Sequence, residues 1–302
     1  MRETILIAGI SGQDGGILSK KLSKKGYKII GLSRKKRISN FAKKIIKTKY
    51  NKIDLIRILK KFKPKIIFNF AGESNPKTSW TNPLRDENSI TRINLNFINA
   101  ILETNKKIRY FHASTSEIFG VSKKKLNEST SYSPNNPYGC FKLTAHLTLK
   151  VYREKYKLFL VNGILFNHES EMRSEKFLSS KIINHARKIK KGLIKKLVLE
   201  TPYPIRDFAH AEDAIEAIYK VMNLKKATDF IISGGNIFSV KQLAEKIFKK
   251  FKIDKRKIEY KKYDRKNDIK IGDTSKLKKI ANWKPKYTGE KFIAKLINEK
   301  IS

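Results

Sequence analysis

The chain holds one cysteine, Cys140, in 302 residues, and only five scattered histidines. A single thiol excludes an internal disulfide framework and fits a cytoplasmic protein. One Cys with dispersed His offers no zinc pattern, so no metal is expected. Long apolar runs are missing too. Stretches such as Ile66-Ile-Phe68 fall far short of the roughly 20 residues that a membrane span needs. Met1-Arg-Glu3 leads straight into a strand-like segment, so no signal peptide is expected. Acidic residues are scarce: 27 Asp and Glu face 68 Lys and Arg, a net charge of +41.

That excess first suggests a nucleic-acid partner. Its distribution argues otherwise. Lysine pairs recur from Lys20-Lys21 to Lys261-Lys262, neither gathered in one arm nor interleaved with aromatics. They read as solvated helix faces in a Lys-rich chain, and no nucleic-acid partner is expected. With 40% apolar residues, 17 Phe and 12 Tyr, the chain can bury enough surface to fold and is no basic tail.

Strand-like segments at Thr4–Ala8 and at 27–32, 65–71, 108–113 and 159–165 alternate with helical ones at 16–25, 55–63, 94–104 and 139–156. Such alternation predicts βαβ units and a parallel sheet. The expected fold is α/β: a Rossmann-like doubly wound parallel sheet over residues 1–170, with a smaller C-terminal α/β substrate-binding lobe over 171–302 and some chain crossing between the two. In that second part, helices are expected at 174–191, 212–222 and 239–251, and a strand at 229–233. Ser239 and Gln242 form a capping box. Asp273-Thr-Ser-Lys276 opens a last short helix before Trp283.

Gly9-Ile-Ser-Gly-Gln-Asp-Gly15 lies between the first strand and the first helix. Glycines there let backbone approach a pyrophosphate, and the helix N-terminus attracts its charge. The second strand runs into Gly31-Leu-Ser-Arg34-Lys-Lys-Arg37, which has none of the acid that usually holds an NAD ribose. Arg34 suits a 2′-phosphate instead, so NADP is the expected cofactor. Tyr138 and Lys142 stand four residues apart on one helical face. An ammonium beside a phenol favours the phenolate and should lower the Tyr138 pKa. A Tyr tuned that way takes a proton from a sugar hydroxyl while hydride leaves the same carbon.

These features resemble the extended short-chain dehydrogenases/reductases, and most closely the GDP-mannose 4,6-dehydratase family. The resemblance is carried by the glycine loop, Ala113-Ser-Thr-Ser-Glu117, Asn136-Pro-Tyr-Gly-Cys-Phe-Lys142 and Val161-Asn-Gly-Ile-Leu-Phe-Asn-His-Glu-Ser170. Ile205-Arg-Asp-Phe-Ala-His210, Ile271-Gly-Asp273 and Asn282-Trp-Lys-Pro285 extend it over nearly the whole chain. It implies a catalytic set of Thr115, Glu117, Tyr138 and Lys142. Epimerases of this superfamily generally lack an acid at the position of Glu117. A dehydratase needs one to take the C5 proton and then assist departure of the C6 hydroxyl. The implied reaction turns GDP-mannose, or a related nucleotide sugar, into a 4-keto-6-deoxy product by internal hydride transfer through bound NADP.

The same resemblance implies cofactor contacts from Gly9, Ser11, Gly12, Gln13, Asp14, Gly15, Arg34, Ala71, Ser74, Tyr138, Lys142, His168 and Arg173. It implies substrate contacts from Ser116, Asn167, Glu169, Lys181, Arg206 and Arg265, the two arginines serving the diphosphate. It also implies a homodimer, while the shortened segment between Arg34 and Tyr50 argues against the family's tetramer. Thr48, Arg85, Ser180 and Glu200-Thr201 replace residues usual in the family. His112, His146 and His185 read as structural. The alternatives are a 4-epimerase or 4-ketoreductase on the same scaffold, or a fold of this kind repurposed to bind RNA. Glu117 and the Asn167-His-Glu-Ser170 run argue against the first, and the intact catalytic set against the second.

Overall fold

The computed structural model describes residues 2–34, 41–122, 124–262 and 268–299. The first half follows the expected alternation. In order come β1 (Thr4–Ala8), α1 (Gln13–Lys24), β2 (Lys28–Ser33), β3 (Lys44–Lys47), α2 (Lys52–Phe62), β4 (Ile66–Asn69), a short α3 (Pro83–Glu87), α4 (Ile93–Thr104), β5 (Arg109–Thr115), α5 (Pro137–Tyr156) and β6 (Leu160–Leu165). Then follow β7 (Asn167–Glu169), α6 (Leu178–Lys190), β8 (Leu197–Leu199), β9 (Ile205–His210), α7 (Ala211–Val221), β10 (Phe230–Ile232), β11 (Asn236–Ser239), α8 (Val240–Phe251), β12 (Ile258–Tyr260), β13 (Ile269–Lys270), α9 (Ser275–Ala281) and α10 (Gly289–Glu299).

Seven strands form one sheet in the order β10-β6-β5-β4-β1-β2-β3. Each pairing in it is parallel. The order reverses between β1 and β4, which opens a crevice at their C-terminal ends. Strand β1 shows why both faces are covered. Ile5 and Ile7 pack into one apolar cluster with Leu18 and Leu22 of α1 and Ile215 and Ile218 of α7. Leu6 and Ala8 point the other way, against Leu55 and Leu59 of α2 and Phe97 and Ile101 of α4. A period of two with every position apolar is what a doubly covered strand requires.

The remaining strands build smaller sheets. β9 pairs antiparallel with β11, and parallel with β7 and β13 along its other edge. β8 pairs with β12. A third cluster joins α6, α8 and α10 through Ile182, Ile183, Leu243, Phe248, Phe292 and Leu296.

Several boundaries differ from expectation. Helix α1 begins at Gln13, not residue 16, because the turn closes on Gly12 as its cap and Gly15 and Gly16 fall inside the first turn. Strand β3 and helices α3 and α10 were not expected. The β3 segment is a four-residue Lys-Ile-Ile-Lys edge without alternation, and α10 follows the short helix opened by Asp273–Lys276, which is expected to be the last. The Ser239 box forms as expected: Ser239 Oγ accepts from Gln242 N and Gln242 Oε1 from Ser239 N. No helix among the described residues is long and apolar enough to cross a membrane.

Candidate active site

The crevice beside β1 begins at Gly9. Its φ is +76°, open to glycine but strained for other residues. A Cβ there would lie 2.7 Å from the Phe70 carbonyl carbon and 2.8 Å from Ala71 N. At Gly15 a Cβ would come within 2.4 Å of the Gly9 oxygen. The loop therefore presents bare backbone to a cavity of about 290 Å³. Ser11, Gly12, Arg34, Tyr50 and Ala71 line it with Gly9. Arg34 is half exposed there, and its guanidinium faces Glu73 at 3.5 Å. Sequence proximity did not reveal that acid, because it comes from the loop after β4. Ser74 follows it, exposed. The basic residues 35–37 and Arg265 lie outside the described residues.

The first turn of α1 meets β7. His168 Nδ1–H donates to the Phe166 carbonyl at 2.8 Å, and Nε2–H donates to both Asp14 oxygens at 3.0 and 3.1 Å. An acceptor at each nitrogen favours the imidazolium form. Burial works against that charge, but the Asp14 carboxylate and its hydrogen bond outweigh it, and the His168 pKa is raised. For Asp14, burial is likewise outweighed by His168, and its carboxyl is brought down to about 2. Gln13 closes the motif, donating to the His168 carbonyl and accepting from Ser170 Oγ. The raised His168 value means its contribution to stability is complete below about pH 6.5, the free imidazole value. That contribution is lost as pH rises through the raised value. The melting-temperature gap between the native chain and His168→Gln should therefore be widest in mild acid and narrow toward alkaline pH. A gap independent of pH removes the imidazolium from this account.

Strand β5 and helix α5 supply the catalytic set. Thr115 ends β5, and its hydroxyl accepts from Glu117 N at 3.3 Å, capping the single helical turn Ser116–Phe119. Asn136 caps α5 by accepting from Gly139 N at 2.8 Å, with Pro137 in the first turn. Tyr138 is buried, and the nearby Thr115 hydroxyl favours its phenolate. Lys142 Nζ donates to the Ala113 carbonyl at 2.7 Å and stands 5.7 Å from the Tyr138 ring centre. Burial, which the Asp14 charge offsets only in part, brings Lys142 down to about 8.

One expectation is corrected here. Burial raises the Tyr138 pKa, the Thr115 hydroxyl opposing and the Glu117 charge adding to it. The ammonium that was to depress it is spent on a backbone carbonyl. Asp14 and Arg173 act electrostatically on this pair as well, so the glycine-loop and α5 residues form one cluster.

A second cavity of about 410 Å³ opens beyond Glu117. Lys77, Trp80, Asn136, Arg206 and Lys270 line it with Glu117. Glu117 accepts from Asn136 Nδ2 at 3.0 Å and from Lys270 Nζ at 2.6 Å. Arg206 reaches this cavity but is held by the Asp268 side chain and carbonyl, at 2.5 and 2.8 Å. The remaining expected substrate residues are placed differently. Ser116 is buried in the turn, and Asn167 starts β7 half-buried. Glu169 turns inward, accepting from Ser179 Oγ at 2.5 Å. Lys181 donates to the Val198 carbonyl. Arg173, expected at the cofactor, stacks 3.6 Å over the Phe177 ring. Sequence reading missed Asn136 and Lys270 as site residues. The Asn-Pro cap signals the first; nothing distinguishes the second among 68 Lys and Arg.

A seven-stranded parallel sheet of this order, with a glycine loop at its reversal and a Tyr–Lys helix after β5, defines an extended short-chain dehydrogenase/reductase. The solved dTDP-glucose 4,6-dehydratase from Bacillus anthracis, in complex with NAD, superposes with a TM-score of 0.86 over 98% of this chain and 96% of its own, at 22% identity. RMD from Pseudomonas aeruginosa, complexed with NADPH, gives 0.85 over 99% and 97%, at 17% identity. A family model described as GDP-mannose 4,6 dehydratase matches residues 6–296. GDP-mannose 4,6 dehydratase 1 of Arabidopsis thaliana is 32% identical over 99% of this chain and 90% of that protein. The chain belongs to the GDP-mannose 4,6-dehydratase family.

Proposed function

We propose that this protein is an NADP-dependent nucleotide-sugar 4,6-dehydratase acting on GDP-mannose. The observation that carries the reading is the Glu117 carboxylate, oriented at both oxygens, beside the Thr115–Tyr138 pair and facing a sugar-sized cavity. An epimerase or ketoreductase has no use for a carboxylate so held.

The bare-backbone cradle at Gly9 and Gly12 fits a pyrophosphate, and Arg34 at the mouth of that cavity fits a 2′-phosphate, which would take the place of Glu73 on its guanidinium. When bound, the oxidised nicotinamide would supply a hydride acceptor for C4, a hydride for C6, and a positive ring that favours the phenolate. Buried Tyr138 exchanges a proton with O4, and Thr115 hydrogen-bonds the same oxygen. A ketone at C4 acidifies C5. Glu117 takes the C5 proton, the C5 electron pair forms the C5–C6 double bond as the C6–O bond breaks, and Glu117 returns a proton to the departing oxygen, giving water; as C6 receives hydride, C5 takes up a proton from solvent, which balances the one lost from O4. We assign residues 1–170 to cofactor and catalysis, and 171–302 to the sugar nucleotide.

The test is incubation of purified protein and NADP⁺ with GDP-mannose, followed by mass spectrometry. The expected product has lost one water with no net NADPH formed. If no GDP-, UDP-, CDP- or dTDP-hexose loses water, the reading is wrong.

A further inference from the structure

Lys270 has the features of a residue kept for chemistry rather than for folding. It is 2% exposed, yet it is a lysine, and its ammonium donates to Glu117 Oε1 at 2.6 Å. Burying an ammonium and a carboxylate costs several kcal/mol in lost hydration per ion, and their attraction often does no more than repay it. An apolar side chain of similar volume would serve stability as well. The mounting is stiff. Strand β13 places Lys270 opposite Arg206 of β9, and Ile269 bridges Ser122. The Ile271 carbonyl accepts from Leu126 N at 2.8 Å. The strand is thus held on one side by the β9 sheet and on the other by the segment that follows Glu117.

We propose that Lys270 is a positioning residue for Glu117, an inference that rests on the dehydratase reading above. With Asn136 on Oε2 and Lys270 on Oε1, the carboxylate plane is set from both oxygens. The Lys270 hydrogen bond holds the carboxylate in one orientation while Glu117 takes the C5 proton and while it returns a proton to the departing C6 oxygen. Lys270 exchanges no atom in the step, which balances as in the elimination written above. This role does not touch the oxidation at C4, which belongs to Tyr138 and Thr115.

That separation supplies the test. Lys270→Met keeps the volume and removes the charge, whereas Lys270→Arg keeps the charge. With GDP-mannose and NADP⁺, Lys270→Met should lower kcat for water loss roughly 10- to 100-fold, a part of the about 10²- to 10⁴-fold that acid–base catalysis contributes. KM should change little. Because oxidation then outruns elimination, near-ultraviolet absorbance of reduced nicotinamide should build up after mixing. Lys270→Arg should restore kcat to within severalfold and abolish the build-up. Unchanged turnover in Lys270→Met overturns the proposal. So does a loss of turnover without reduced nicotinamide, which marks a structural role. If Lys270→Met does not fold, Lys270→Arg decides: an arginine variant that folds yet turns over no faster than Glu117→Gln overturns it. Failure of the native chain to release water from any of the hexoses above counts against the dehydratase reading itself and removes this inference with it.

Discussion

Glu117→Gln should cut water loss about 10²- to 10⁴-fold, the usual contribution of a positioned acid–base group. The amide keeps the shape of the side chain but cannot take the C5 proton. Nicotinamide binding should be unchanged, because the glycine loop and Arg34 line a different cavity from Glu117. Reduced nicotinamide should appear with the substrate and persist, since C4 oxidation needs only the Tyr138 side of the site. Stopped-flow absorbance together with mass spectrometry of the sugar reads both halves. A variant that loses water at the native rate removes Glu117 from the mechanism.

Gly9→Ala should yield a folded chain that no longer retains a nicotinamide dinucleotide. At φ +76° an alanine is strained, at a cost of about 1–3 kcal/mol. The overlap at 2.7 Å with Phe70 is against backbone, which cannot rotate aside. Against the roughly 5–15 kcal/mol that domains typically have, the fold survives with a lower melting temperature. The loop, however, must shift away from β4, and the cradle opens. Fluorescence titration with NADPH measures the loss; affinity equal to that of the native chain contradicts this placement of the loop.

How much of this was legible in the sequence depends on how local the signal was. Strand β1 has its boundaries written in four apolar residues, Ile5 to Ala8, and a following glycine. The start of α5 is marked by the Asn136-Pro137 cap, two residues before the expected start at 139. The start of α1 is not, because a glycine loop reads the same whether its later residues lie in the turn or in the helix; only the observed cap at Gly12 decides. The Tyr138–Lys142 spacing correctly put both on one face, but whether the ammonium serves the phenol or a carbonyl depends on Ala113, which belongs to another element. Glu73 beside Arg34 and Lys270 beside Glu117 are contacts between residues 39 and 153 positions apart in sequence. No periodicity encodes them. Where the charge excess was read as a uniform background, Lys270 was hidden within it.

The origin of the edge strand bears on how the protein is made. β10 lies against β6 through the pairing of Phe230 with Gly163, yet it is formed from residues 230–232. On the ribosome, β6 therefore emerges long before its outer neighbour. All six of its residues are buried in the finished fold, so until synthesis passes Ile232 an apolar strand stands with an open hydrogen-bonding edge, the kind that recruits other chains. Fragments ending before Phe230 should aggregate during expression, and those that include β10 together with the packing face of α7 and α9 should stay in solution.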